Sequence, residues 1–152
     1  MFNTLLVEDD VSYRKILSDV LLLHFPLIGV DEAGDGMEAL SKVECQRPDL
    51  IFMGNQLPGE NGMDVTKKIK RMYDDIVIVI LSTNNLPEHR QQAFRNGADY
   101  FLSKEDDFYM EKYRVLTYQL TGNYFTGILS EQRQRTQAKL NGGYINVQHP
   151  TC

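Results

Sequence analysis

The sequence is short of cysteine, of excess basic charge and of long apolar runs, and each shortage removes a class of protein. Two cysteines, Cys45 and Cys152, are too few for the disulfide framework of a small secreted scaffold. Cys45 falls in a stretch with helical periodicity and Cys152 is the last residue, so no functional disulfide is expected in a reducing compartment. The three histidines, His24, His89 and His149, are scattered without metal-ligand spacing. Sixteen Lys and Arg against 21 Asp and Glu give a net charge of −5, which argues against sequence-independent binding to DNA or RNA. No apolar run approaches the roughly 20 residues of a membrane span. The start, Met1-Phe2-Asn3-Thr4, has no basic segment of the secretory kind, so the expectation is a cytoplasmic protein.

What is present reads as one soluble domain with a leftover segment. Hydrophobic residues make 42% of the 152 and charged residues 24%, enough for one core of ordinary size. Thr4 to Val7 is a short apolar strand that ends in Glu8-Asp9-Asp10. Val11 to His24 follows as a helix, with Ile16, Val20 and Leu23 at helical spacing and Leu17, Leu21 and Leu22 widening the stripe. Asp10 can cap this helix and Pro26 stops the chain soon after it. Leu27 to Ala33 is a second strand, and Gly34-Asp35-Gly36 turns into a helix over Met37 to Cys45 with Ala39, Leu40 and Val43 inward.

Leu50 to Met53 is an apolar run between turn formers, the pattern of a strand covered on both faces. It stops at Gly54, and Leu57-Pro58-Gly59 leads to a third helix over Gly62 to Tyr73. Ile76 to Leu81 is β-branched and uninterrupted, so it belongs inside a parallel sheet. Pro87 to Asn96 is a helix closed by Gly97, Tyr100 to Leu102 a fifth strand, and Phe108 to Leu120 a last helix. Strands alternating with helices on short connections make an α/β fold, a doubly wound five-stranded parallel sheet with helices on both faces. Residues 1–121 form this domain, and 122–152 is a C-terminal extension. Ser130 to Leu140 is rich in Gln and Arg with almost no apolar face, so the extension cannot build a core. It reads equally as a linker, an oligomerisation arm or disorder.

In an open α/β sheet, ligands bind past the carboxyl ends of the strands. Those ends carry Asp9 and Asp10, Gly54, Ser82 with Thr83, and Lys104. Singly each has a plain reading: the acids cap a helix, Ser82 ends a strand, and Lys104 is a solvated surface lysine. Two acids, a hydroxyl and a lysine at corresponding ends of different strands exceed what folding alone asks for. A flavin phosphate needs a Ser/Thr/Gly-rich loop after the first strand, where Glu8-Asp9-Asp10 would repel it. An aspartyl-nucleophile phosphatase wants two acids separated by one residue there, and Asp9 and Asp10 are adjacent. An independent enzyme activity is therefore not expected.

From Met1 to about Leu120 the chain resembles the receiver domains of two-component response regulators. The resemblance rests on Leu6-Val7-Glu8-Asp9-Asp10, Ala33-Gly34-Asp35-Gly36-Met37-Glu38-Ala39-Leu40, Pro48-Asp49-Leu50-Ile51 with Leu57-Pro58-Gly59, Ile80-Leu81-Ser82, and Asn96 to Lys104. It implies strand order 2-1-3-4-5, the flavodoxin-like arrangement. It implies that Asp9 and Asp10 hold a magnesium ion with the backbone carbonyl of Gln56. Ser82, with Thr83 beside it, corresponds to the switch hydroxyl, Phe101 to the rotating aromatic and Lys104 to the phosphate-contacting lysine. A sensor histidine kinase or another signalling protein is the implied partner, with dimerisation on the fourth helix, fifth strand and fifth helix. No direct nucleic-acid contact and no membrane association are expected.

Two departures stand out. The residue that in the family is a phosphoacceptor aspartate is here Gly54, which removes both the nucleophile and one metal ligand. Asn55 and Gln56 are amides and do not replace it, so magnesium affinity should fall and Lys104 should pair with Asp9 or Asp10 instead. After the lysine, the family's proline, often in a cis bond, is Glu105. A cis bond there costs about 2.5–4 kcal/mol, so a trans peptide is expected. Two functions follow: a receiver acting as an interaction or dimerisation module without aspartyl phosphorylation, or an ordinary phosphoacceptor in which Gly54 is a natural or engineered substitution.

Overall fold

The computed structural model describes residues 1–104, 117, 121 and 122. The strands are β1 (Asn3–Val7), β2 (Gly29–Ala33), β3 (Leu50–Gly54), β4 (Val77–Ser82) and β5 (Tyr100–Ser103). The helices between them are α1 (Val11–His24), α2 (Gly36–Gln46), α3 (Gly62–Met72) and α4 (Pro87–Arg95). All five strands lie in one sheet, ordered β2-β1-β3-β4-β5, and every pairing is parallel. The expected fold and strand order are therefore those of the molecule. Thr117, Thr121 and Gly122 are helical, within or beside the expected last helix; the rest of that helix, the 122–152 extension beyond Gly122 and the Lys104–Glu105 bond lie outside the described residues.

The alternation of side chains along each strand divides the core into two layers. Leu5, Val7, Ile51, Met53, Ile78 and Ile80 face Ala39 and Val43 of α2, Met63, Val65 and Ile69 of α3, and Ala93 of α4. Leu6, Leu50, Phe52, Val79 and Leu81 face the other way, onto Leu17 and Leu21 of α1. β3 is buried at every position because strands lie on both edges of it and helices cover both faces. The helix starts are set locally. Asp10, Asp35 and Asn61 each accept a hydrogen bond from a backbone N–H three residues on, satisfying donors the first turn leaves open.

α1 corrects one expectation. Its inward stripe is Leu17 and Leu21, while Ile16 and Leu23 are 50% and 77% exposed. Six apolar residues spread around the helix leave its orientation open, and contact with Leu6 and Phe52 of the sheet selects the face. Cys45 on α2 is also disulfide-bonded, against the expectation from cysteine count, and its partner lies outside the described residues. Counting cysteines carries no information about which of them meet in space.

Phe52 is fully buried on the central strand, in the layer beneath α1. Phe52→Ala is expected to cost roughly 3–5 kcal/mol through lost burial and the cavity left behind, read as a lowered urea midpoint at unchanged slope.

Candidate functional site

β1 and β3 are neighbours whose helices leave toward opposite faces, which makes the crevice past their carboxyl ends the place for a site. Their register pairs Val7 with Met53, so the next residues along, Glu8 and Gly54, stand side by side. Glu8 is only 3% exposed. Its Oε2 accepts a hydrogen bond from Lys104 Nζ at 2.6 Å, an ion pair joining residues from the two ends of the sheet's sequence. A Cβ added to Gly54 would lie 2.6 Å from that same oxygen and 3.1 Å from the carbonyl oxygen of Val7. The Glu8 carboxylate thus occupies the space that a side chain at residue 54 would enter.

The surroundings hold this carboxylate from several sides. The N–H of Asp10 donates to Glu8 Oε1 at 3.3 Å, and the Glu8 carbonyl accepts from the Arg14 guanidinium. Arg14 also pairs with Glu32 at 3.0 Å. Burial pushes the Glu8 carboxyl above the usual carboxylate range; Lys104 and the Asp10 N–H pull it back, and the neighbouring Asp9 side chain raises it further. Lys104 is placed by its backbone, whose N–H donates to Ser82 O at 2.8 Å, and its ammonium sits 4.6 Å from the centre of the Tyr13 ring.

The residues expected to form the site are only partly brought together. Lys104 reaches Glu8, not Asp9 or Asp10, which corrects the expected pairing. Asp10 is exposed and its Oδ1 accepts the N–H of Tyr13 at 3.0 Å, so it serves as the cap of α1. A residue in the N-cap position turns its side chain along the helix start, whereas Glu8, one residue past the last β1–β3 pair, meets Lys104 in the crevice. Asp9 is exposed. Ser82 is buried at the end of β4, where its Oγ accepts the N–H of Asn84 at 3.0 Å, and Thr83 beside it is exposed. Phe101 is buried on β5 with the Arg90 guanidinium 5.5 Å from its ring centre. Gln56 is exposed on the loop between β3 and α3. Glu8 is the functional candidate that motif reading passed over; the strand register, counted one residue beyond Val7, is the signal that finds it.

Gly62 completes the crevice wall. A Cβ there would lie 2.0 Å from the carbonyl oxygen of Gly54, and its N–H donates to Asn55 O at 2.8 Å. α3 can therefore begin against the end of β3 only with a glycine. The donor set does not fit a magnesium ion, which is held through carboxylate oxygens. Gly54 offers none, Glu8 is engaged by Lys104 and Asp10 by its helix. Among the described residues no group of three or more His, Cys, Asp or Glu could hold a metal.

Comparison with known proteins agrees with this fold. Residues 4–110 match the response regulator receiver domain. The protein-glutamate methylesterase/protein-glutamine glutaminase of Bacillus subtilis is 31% identical over 137 residues, 89% of this chain and 38% of that protein. The oxygen regulatory protein NreC of Staphylococcus carnosus is 33% identical over 100 residues, 65% of this chain and 46% of that protein. The chain thus spans less than half the length of these curated relatives. Among solved structures, chemotaxis protein CheY4 of Vibrio cholerae superposes with a TM-score of 0.68 at 29% identity, covering 78% of this chain and 97% of that one. The signal receiver domain of a DNA-binding response regulator from Colwellia psychrerythraea gives 0.73 at 19% identity, over 80% and 99%.

Removing the cation while leaving the buried carboxylate should be costly. Lys104→Met is expected to destabilise the domain by roughly 3 kcal/mol, and adding Glu8→Gln should recover most of that loss, as measured by urea unfolding of both single variants and the pair.

Proposed function

The chain belongs to the response regulator receiver domain family, and from that premise we propose that it is a receiver that signals without aspartyl phosphorylation. The observation that carries this reading is the Glu8 carboxylate beside Gly54: the acceptor's oxygen is missing and its space is taken. An intact receiver needs a carboxylate to attack the phosphoryl donor and a divalent ion to neutralise the phosphoryl oxygens. Neither requirement is met by Gly54, Glu8 and Asp10 as they are arranged.

The output is then contact with another protein: a sensor histidine kinase, a further signalling protein or a second copy of the chain. The face of α4 and β5 supports this, because Leu86, Phe94 and Tyr100 on or beside these elements are 55%, 46% and 40% exposed. The reading includes no catalysis by this chain. The methylesterase and the cyclic di-GMP phosphodiesterase response regulator RpfG of Xanthomonas campestris are so named as much longer proteins, of which the matched part is 38% and 28%. It also includes a cytoplasmic location without direct nucleic-acid or membrane contact; no helix among the described residues is long and apolar enough to cross a membrane.

A second reading, an ordinary phosphoacceptor carrying a substitution at Gly54, draws support from Ser82 at the end of β4, Lys104 just past β5 and Phe101 within β5. Incubation with a small radiolabelled phosphodonor and magnesium separates the two. The unaltered chain and Gly54→Asp are both expected to take up no label; label on Gly54→Asp alone would favour the second reading, and label on the unaltered chain would overturn the first. For the contact surface, Phe94→Glu is expected to weaken self-association or partner binding by tenfold or more, measured by sedimentation or titration calorimetry.

A further inference from the structure

β1 and β5 are not neighbours; β3 and β4 lie between them. The Glu8–Lys104 pair nevertheless closes at 2.6 Å, so it runs across the carboxyl ends of both intervening strands. Residue 54 has no side chain in its way: a Cβ there would lie 2.6 Å from Glu8 Oε2, so the carboxylate would have to shift from this position. Glycine at this position is therefore more than a lost acceptor. It is the clearance through which the carboxylate of β1 reaches the ammonium of β5.

We infer that the Lys104 ammonium is the resident cation of this crevice, engaging the Glu8 carboxylate that a divalent ion would otherwise need and latching the end of β1 to the end of β5. This rests on the reading that Gly54 leaves the site without an acceptor. Three features of the site carry it. The pair is shielded, with the Glu8 side chain 3% and the Lys104 side chain 17% exposed, so water competes weakly for either charge. The ammonium has a second support in the Tyr13 ring at the start of α1. The other charges nearby are already engaged: Arg14 with Glu32 and the Glu8 carbonyl, Asp10 with the N–H of Tyr13. A divalent ion entering here would have to break a buried pair, strand the lysine, and coordinate with Asp9 as its principal remaining carboxylate. Magnesium does not repay that, because it dehydrates reluctantly and relies on carboxylate charge.

The latch also has a consequence for signalling. In a switch driven by phosphorylation, a ligand biases two arrangements of the β5 end. Here the chain supplies both charges itself, so the β5 end and the α4–β5 face beside it are held in one arrangement irrespective of magnesium or phosphodonor.

The test is a titration of the ¹⁵N-labelled full chain with Mn²⁺, following paramagnetic broadening of the amides of Glu8, Asp9, Asp10 and Lys104, with Mg²⁺ as competitor. The unaltered chain should show no saturable broadening at these amides into the millimolar range. Lys104→Met should free Glu8 and tighten Mn²⁺ binding at least tenfold, with Mg²⁺ competing. Lys104→Arg, which keeps a cation on the same stem, should remain closed to the metal. Should Lys104→Met fail to fold, the unaltered chain and Lys104→Arg still decide. Saturable, magnesium-competed broadening in either of them would overturn the inference, as would a folded Lys104→Met variant indistinguishable from the unaltered chain. Phosphodonor labelling keeps the two proposals apart: metal binding without label sinks the latch alone, whereas label on the unaltered chain sinks the phosphorylation-independent reading.

Discussion

A carboxylate from the first strand and an ammonium from the last meet in a crevice where the intervening strand ends in a residue without a side chain. Glu8 is almost fully buried, and a buried carboxylate is tolerated only when something of opposite charge or several hydrogen-bond donors face it. Lys104 answers that demand, and its answer depends on Gly54 leaving the way open. The same three residues therefore account for the charge balance of the crevice and for the contact between the acid after β1 and the lysine after β5.

The scaffold around this pair is ordinary in its physics. A parallel sheet needs both faces covered, and two apolar layers do that, one under α1 and one under α2, α3 and α4. Polar contacts stitch the margins: Asp49 accepts the N–H of Asn3 at 2.8 Å, and Asp99 receives both the N–H of Ile78 and the Lys70 ammonium. Such an ion pair as Glu8–Lys104 adds little net stability, because desolvating two charges offsets most of their attraction.

Much of the fold is legible in the chain itself. Leu50 to Met53 and Ile76 to Leu81 read as central strands because unbroken apolar runs suit a sheet buried on both faces, and both are (Ile76 just precedes β4). α1 was legible in extent but not in orientation, because its leucines and isoleucine surround the axis and only contact with the sheet chooses among them. The site was half legible. Gly54, Ser82 and Lys104 stand out by position at strand ends, yet the adjacent acids Glu8, Asp9 and Asp10 cannot be told apart by composition. Three neighbouring carboxylates differ in role only through the direction each side chain takes, and that follows from where β1 stops and α1 starts.

By itself, then, the sequence determined the alternation of strands and helices and the covering of the sheet on both faces, since each is a property of residue type and local spacing. The tertiary structure alone decided which acid turns inward and which lysine it meets. Glu8 and Lys104 are 96 residues apart in the chain, and their meeting depends on the sheet order that carries β1 and β5 to the same rim. Local periodicity holds no record of such a distance, because a salt bridge is specified by the positions of two atoms in space and not by the residues that flank them.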